Sequence, residues 1–277
     1  MTAWVGAPRD AGHVLPLLRA AHLGPCLAVT TVVALLAAGQ DLSVARGVVV
    51  TAAVLAGQLT IGWGNDLLDA DRDRRVGRAD KPVANGELEP STVLTWLVVA
   101  AGACVVLSLL VGWRSGLVNL GLGVASGHLY NLVLKGTAWS WLPYAAAFGT
   151  LPAVVTLADV PHHWPPAWMM AAAAALGVAA HFLNTLPDLV ADAATGVRGL
   201  PHRLGGGISR AAAVVLLVIA SLVAALGPGA PGAWAWGALV AVALLAVVAA
   251  IGRGRTPFQA AIAIALVDVV LITVVAS

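Results

Sequence analysis

Residues Gly64–Gly77 read "GNDLLDADRDRRVG" and follow directly on an apolar stretch, 44–64. Asp66, Asp69, Asp71 and Asp73 are four of the 13 acidic residues in a chain of 277. A carboxylate at the edge of a membrane is costly and marks function by default. The reading of this stretch therefore decides what kind of helix enters it and what leaves it.

The chain around it is 60% hydrophobic and 10% charged, with a mean hydropathy of +0.92. An average soluble domain carries about 25% charged residues, which excludes an ordinary water-soluble globule. A bilayer core of about 30 Å needs roughly 20 apolar residues per helical span. Nine such stretches follow one another: 20–39, 44–64, 92–112, 117–134, 139–159, 164–186, 208–227, 233–251 and 257–276. The expected fold is an all-α integral membrane protein of nine transmembrane helices. It forms a single polytopic domain over 1–277, with motif-bearing halves at approximately 17–135 and 139–277.

The N-terminal "MTAWVGAPRDAGHVLPLLRAAH" lacks a signal-peptide pattern, so the first apolar run reads as a retained span. Cys26 and Cys104 fall inside spans and read as packing residues rather than a disulfide or metal pair. Nine spans place Arg9, Arg19, Arg72, Arg74, Arg75, Arg78, Lys81, Lys135, Arg198, Arg203, Arg210, Arg253 and Arg255 on one side. Only Arg46 and Arg114 fall on the other. By the positive-inside rule the N-terminus and the loops bearing the acidic stretches are cytoplasmic. Trp63, Trp113, Trp139, Trp164 and Trp234 sit near span ends and read as interfacial anchors. The net charge of +2 gives no sign of a nucleic-acid partner, and none is expected; membrane lipid is the expected surroundings.

The acidic pattern occurs twice. Asn65, Asp69, Asp73 and Gly77 share their spacing with Asn184, Asp188, Asp192 and Gly196 of "NTLPDLVADAATG", and basic residues follow both. On a helix, residues at i, i+4 and i+8 advance about 40° per step and share one face, with Asp66 beside them. Like charges at that spacing repel, more strongly where the dielectric falls. Converging carboxylates with an amide oxygen suit a hard divalent cation, and Mg²⁺ takes one or two carboxylates while bridging to substrate phosphates. Asp71 and Asp80 read instead as solvated or arginine-paired. Arg74 and Arg75 read as headgroup or positive-inside residues. Acidic sets with adjacent cations imply a diphosphate, and the apolar spans imply that the remainder of the ligand is greasy.

These segments resemble the UbiA superfamily of intramembrane prenyltransferases. "NDLLDADRD" (Asn65–Asp73) matches that family's N-D-x-x-D-x-x-x-D motif. "RADKPVANG", "YNLVLKGTAWSWLPY", "DLVADAATGVRGLPHRLG" and "LLRAAHLGP" are similar to its other segments and stand in the expected order. The resemblance implies nine helices around a central cavity, with a cytoplasmic cap from the loops after helices 2 and 6. It implies Mg²⁺ held by Asn65, Asp66, Asp69, Asp73, Asp188 and Asp192, the aspartates being catalytic. It implies that Arg72, Lys81, Lys135 and Arg198 contact phosphate oxygens. Arg19 and Tyr130 would line the cavity near the reacting carbon or the acceptor, and Asn184 would support the second motif.

The expected activity is Mg²⁺-dependent transfer of a prenyl group from an isoprenyl diphosphate to a hydrophobic or small aromatic acceptor. The alternatives are a UbiA-type terpene cyclase, or transfer to a non-aromatic lipid or phosphate acceptor. A transporter is the rival outside enzymes, and Asp268 is the one carboxylate deep in another span. Thr185 and Pro187 depart from the family pattern, and Pro187 is expected to break helix 6 so that Asp188 turns inward. Lys135 also reads as a helix-end cation whose stem snorkels. His181 reads as a neutral packed histidine, and His162 and His163 as part of an interfacial loop. Abundant Ala, Gly and Val leave two readings open, room for a long tail or close helix packing.

Overall fold

The computed structural model describes residues 14–40, 42–229 and 231–276, with side chains as far as Ile272. Residues 1–13, including Arg9 and most of the N-terminal segment discussed above, lie outside the described residues. Every regular element among the described residues is helical. In order it forms α1 (Val14–Ala20), α2 (Leu23–Gly39), α3 (Val44–Arg75), α4 (Pro90–Val111), α5 (Trp113–Leu134) and α6 (Leu142–Thr156). Then come α7 (Ala167–Ala194), the short α8 (Leu200–Leu204), α9 (Gly206–Leu226), α10 (Ala233–Ile251) and α11 (Thr256–Ala276).

Each long helix packs on the next in sequence, and α11 returns to pack on α2, so the helices close into a ring. The outer faces of α4 and α10 expose Leu94, Val98, Leu109, Leu110, Val240, Leu244 and Val247. Backbone groups satisfied within each helix and an apolar outer face are what a lipid surround demands. This is an integral, multi-pass membrane protein. Among the described residues six helices are long and apolar enough to cross a bilayer, or seven if the bent pair α1 and α2 counts as one span. Helices α6 and α11 are apolar but shorter. Helix α6 is interrupted at Thr150, with Pro143 and Pro152 opening its two halves, because proline fits the first turn of a helix and not its middle.

Three irregularities shape the interior. Helices α1 and α2 meet at 72°, with His22 between them in a left-handed conformation (φ 55°, ψ 55°). Helix α5 contains two π-helical segments, Asn119–Val124 and Tyr130–Leu134. Such turns are rare and concentrate at functional sites. In the second, the Lys135 amide donates to the Tyr130 carbonyl at 2.9 Å. Helix α7 breaks into a 3-10 turn at Leu186–Asp188, where Pro187 sits, as its missing donor requires.

Close helix approach accounts for several of the small residues. A Cβ on Gly127 would meet Ile61 Cδ1 at 2.4 Å, and one on Gly177 would meet the Tyr144 carbonyl oxygen at 2.6 Å. At these positions glycine serves packing rather than open space. Trp63 corrects the anchor reading: it is buried, and its indole N–H donates to the Leu17 carbonyl at 2.9 Å, tying α1 to α3. Trp113, Trp139, Trp164 and Trp234 are exposed. Cys26 and Cys104 are free and buried. Arg46 of α3 donates to the Ala158 carbonyl, tying α3 to the segment after α6.

Candidate functional site

The inner end of α3 carries the first acidic set, and its 3.6-residue period places Asp66, Asp69 and Asp73 on the face turned into the protein. All three are buried, at 1%, 6% and 6% exposure. Asp71, two residues off that face, is exposed and pairs with Arg74 at 2.6 Å. The local pattern thus separates the inward carboxylates from the solvated one.

Asp69 is the hub. It accepts from Asn65 Nδ2 at 3.0 Å, pairs with Arg72 Nη2 at 2.5 Å, and pairs with Lys135 Nζ from beyond the second π turn of α5. The Lys135 ammonium is therefore turned onto the cluster rather than snorkelling away. Asn65 also donates to Asn131 Oδ1 at 3.3 Å, and Asn131 donates in turn to the Ile61 carbonyl. Asp66 accepts from the Val83 amide at 3.3 Å. Lys81, itself buried, lies 3.3 Å from Asp66 Oδ1, 4.0 Å from Asp73 Oδ2 and 3.3 Å from Asn65 Oδ1. Asp66 Oδ1 and Asp73 Oδ2 nevertheless lack any hydrogen bond. Their contact with Lys81 is Coulombic, at poor hydrogen-bond geometry.

The second acidic set lies beyond the α7 break. Asp188 accepts from Arg78 Nη1 at 3.1 Å, which joins the loop after α3 to the second motif. Arg78 is held in place by a bidentate pair with Asp80 at 2.9 Å on both arms. Those hydrogen bonds hold the Asp80 carboxyl down at about 2, so it stays ionised at neutral pH. Asp192 approaches His202 Nε2 at 3.4 Å. Burial lowers the His202 ring against the pull of Asp192, and Lys135 and Asp188 lie within Coulombic range of the same ring. The Tyr130 phenol has both Asp69 and Asp192 within such range.

Tyr130 and Tyr144 stack edge to face at 5.2 Å, and His181 lies against both. Phe148 and Phe182 extend this wall, which gathers both tyrosines and two of the three phenylalanines of the chain. Asn184 lies beside the Tyr144 hydroxyl. His181 is buried, and its Nε2 meets Ser140 Oγ at 3.0 Å, in keeping with a neutral packed histidine. Arg198 is exposed and, with Ala193, His202 and Arg203, lines a shallow surface recess. Arg19 pairs with Glu87 in the loop before α4. Asp268 lies elsewhere, buried between α9 and α11 and bonded to Ser221 Oγ at 3.0 Å.

Sequence reasoning passed over His22, Asn131 and His202. All three lay inside the quoted family-like segments, but only the fold shows what they touch. For a divalent cation, no three His, Cys, Asp or Glu side chains converge among the described residues. Two carboxylate oxygens, on Asp66 and Asp73, are buried without a hydrogen bond and face one cation. That donor set fits an ion that takes two carboxylates and completes its shell with ligand oxygens, the habit of Mg²⁺.

Comparison with known proteins agrees with this picture. The model of the UbiA prenyltransferase family matches residues 26–272. Digeranylgeranylglyceryl phosphate synthases of Methanopyrus kandleri and Natronomonas pharaonis are each 29% identical, over 198 and 205 residues. The matches span 66% of this chain and 66% and 67% of those relatives, so about two thirds of their length is covered. Among solved structures, an apo UbiA homologue from Aeropyrum pernix K1 superposes with a TM-score of 0.73 at 19% identity, over 90% of this chain and 96% of that one. A UbiA homologue from Archaeoglobus fulgidus bound to GPP and Mg²⁺ gives 0.66 at 15%, over 93% and 99%. At those identities the structures speak for the fold. The family match, covering nearly the whole chain, speaks for more: this protein belongs to the UbiA prenyltransferase family.

Proposed function

We propose that the protein transfers a prenyl group from an isoprenyl diphosphate, with Mg²⁺, to a lipid acceptor bearing a glyceryl phosphate headgroup. One observation carries the diphosphate half: the buried, hydrogen-bond-free oxygens of Asp66 and Asp73 beside Lys81, with Lys135 and Arg72 paired to the neighbouring Asp69. The acceptor half is supported by the two digeranylgeranylglyceryl phosphate synthases among the relatives. It replaces the aromatic acceptor expected from sequence with the non-aromatic alternative. We further read α6 and α11 as the two shorter spans of a nine-span ring. In this reading the N-terminus is cytoplasmic, and the loops after α3 and α7 cap the site from that side.

Asn65, Asp66, Asp69, Asp73, Asp188 and Asp192 would hold Mg²⁺ and the diphosphate between the two motifs. When bound, the ion neutralises charge growing on the leaving diphosphate. Lys81, Lys135 and Arg72 supply N–H donors to phosphate oxygens, and Arg198, exposed beside the second motif, would have to turn inward to add another. The allylic C–O bond breaks, and its electron pair leaves with the diphosphate. An acceptor hydroxyl oxygen attacks that carbon, and its proton goes to the released diphosphate. The wall of Tyr130, Tyr144, Phe148 and Phe182 keeps water away from the reacting carbon.

The test is product mass. Reconstituted protein is given geranylgeranyl diphosphate and Mg²⁺, with either a glyceryl phosphate carrying one geranylgeranyl chain or 4-hydroxybenzoate. The expected product is the glyceryl phosphate with a second chain, lost on chelation of the metal. Prenylated hydroxybenzoate alone would overturn the acceptor class, and a cyclised hydrocarbon formed without acceptor would overturn transfer.

A further inference from the structure

Lys81 serves the carboxylate cluster, yet its shortest contact is to a ring nitrogen. Its Nζ lies 2.8 Å from His22 Nε2, closer than Asn65 Oδ1 and Asp66 Oδ1, both at 3.3 Å. An ammonium has three donors and no acceptor, so His22 Nε2 must offer a lone pair, and the ring is neutral with its proton on Nδ1. The surroundings agree. Burial and the neighbouring Lys81 and Lys135 cations both oppose a positive charge on this ring, and Asp69 favours it less.

The backbone that delivers this ring is unusual. His22 is the one non-glycine residue with positive φ among the described residues, and it stands at the 72° break between α1 and α2. A residue with a Cβ is strained there, and strain held in place by its neighbours is a pointer to function. The break is clamped against α3 from several directions. The Ala21 carbonyl presses on Gly62, the Cys26 thiol donates to that same carbonyl at 3.0 Å, and Trp63 holds Leu17. Gly62 lies one helical turn before Asn65, so the clamp sets where His22 stands relative to the motif.

Without His22, nothing but carboxylate and amide oxygens would hold the Lys81 ammonium. It would then settle on Asp66 and Asp73, the oxygens proposed for the metal. We infer that His22 is a positioning residue of the prenyl-transfer site, drawing Lys81 to itself so that the ammonium stays near Asp66 and Asp73 without hydrogen-bonding them, which leaves a donor for the diphosphate and those carboxylate oxygens for Mg²⁺. This rests on the diphosphate reading of the site given above.

The test uses the full-length protein in nanodiscs and measures binding of geranyl diphosphate at fixed Mg²⁺ by calorimetry. Wild type is expected to bind only with Mg²⁺. Failure of wild type to bind would overturn the diphosphate site itself, and the role of His22 with it. His22→Gly relieves the strained backbone while removing the ring, and is expected to raise Kd about tenfold, the scale of losing a hydrogen bond to a charged group. His22→Gln, which restores an acceptor, should return Kd to within about threefold of wild type. In a Lys81→Met background the same His22→Gly change should have no further effect, because coupled residues are non-additive. An unchanged Kd in His22→Gly would overturn the inference. So would an undiminished effect in the Lys81→Met background, since His22 would then not act through Lys81. If His22→Gly does not fold, His22→Asn replaces it, tolerating the left-handed backbone with a shorter side chain, under the same two criteria.

Discussion

Asp69→Asn is expected to lower kcat/KM for the prenyl diphosphate about a thousandfold, the upper scale for losing one electrostatic contributor to a transition state. Asp69 is the carboxylate on which Asn65, Arg72 and Lys135 converge from α3 and α5. Its charge fixes both cations at the mouth of the motif, where donors to phosphate are needed. The asparagine keeps the shape and removes the charge, so the loss reports electrostatics rather than packing. Asp69→Ala would in addition remove the acceptor of the Asn65 amide and leave a void in a buried site, a further cost in stability of about 1–3 kcal/mol. Steady-state assay beside a thermal unfolding curve separates the two effects. Asp71→Asn, on the exposed side of the same helix and paired only with Arg74, should change kcat/KM less than about twofold, as surface pairs contribute little. Equal activity of the Asp69 and Asp71 variants would remove Asp69 from the site.

Gly62→Ala is expected to be among the most damaging small substitutions in the chain. The added Cβ would stand 2.1 Å from the Ala21 carbonyl oxygen and 2.6 Å from its carbon. Those are backbone atoms at the clamped break between α1 and α2, and cannot swing aside as a side-chain tip would. Overpacking of this kind costs about 1–3 kcal/mol, which translates to a fall in melting temperature of about 5 °C. Because the same break carries His22 to Lys81, affinity for geranyl diphosphate should fall as well. Gly102 in α4 is the control. Nothing lies within 4 Å of its added Cβ, so Gly102→Ala should be neutral or stabilise by up to about 1 kcal/mol through helix propensity. A melting temperature for Gly62→Ala equal to that of Gly102→Ala would show that the two helices do not meet there.

The parts of the site legible in the sequence are those set by neighbours along the chain. The recurrence of Asn65, Asp69 and Asp73 places them on one helical face whatever surrounds the helix, and Asp71 falls off that face by the same geometry. Pro187 cannot donate to the turn before it, so the break at Leu186–Asp188 was local too. The length and greasiness of the apolar runs were enough for a membrane protein, though not for how many of them span. α6 shows why, since its prolines divide an apolar run into halves whose combined reach depends on how they pack.

What composition and spacing alone determined, then, was an all-helical membrane chain with two acidic helix faces and cations close behind each. Only the tertiary structure decided the partners: Lys135 on Asp69, Arg78 on Asp188, His22 on Lys81, and Arg19 on Glu87. It also turned Trp63 inward and assigned Gly127 and Gly177 to close packing. The reason is physical. A helix face follows from a fixed 3.6-residue period, whereas contacts between helices depend on their rotation, crossing angle and distance, which arise from the packing of many side chains at once.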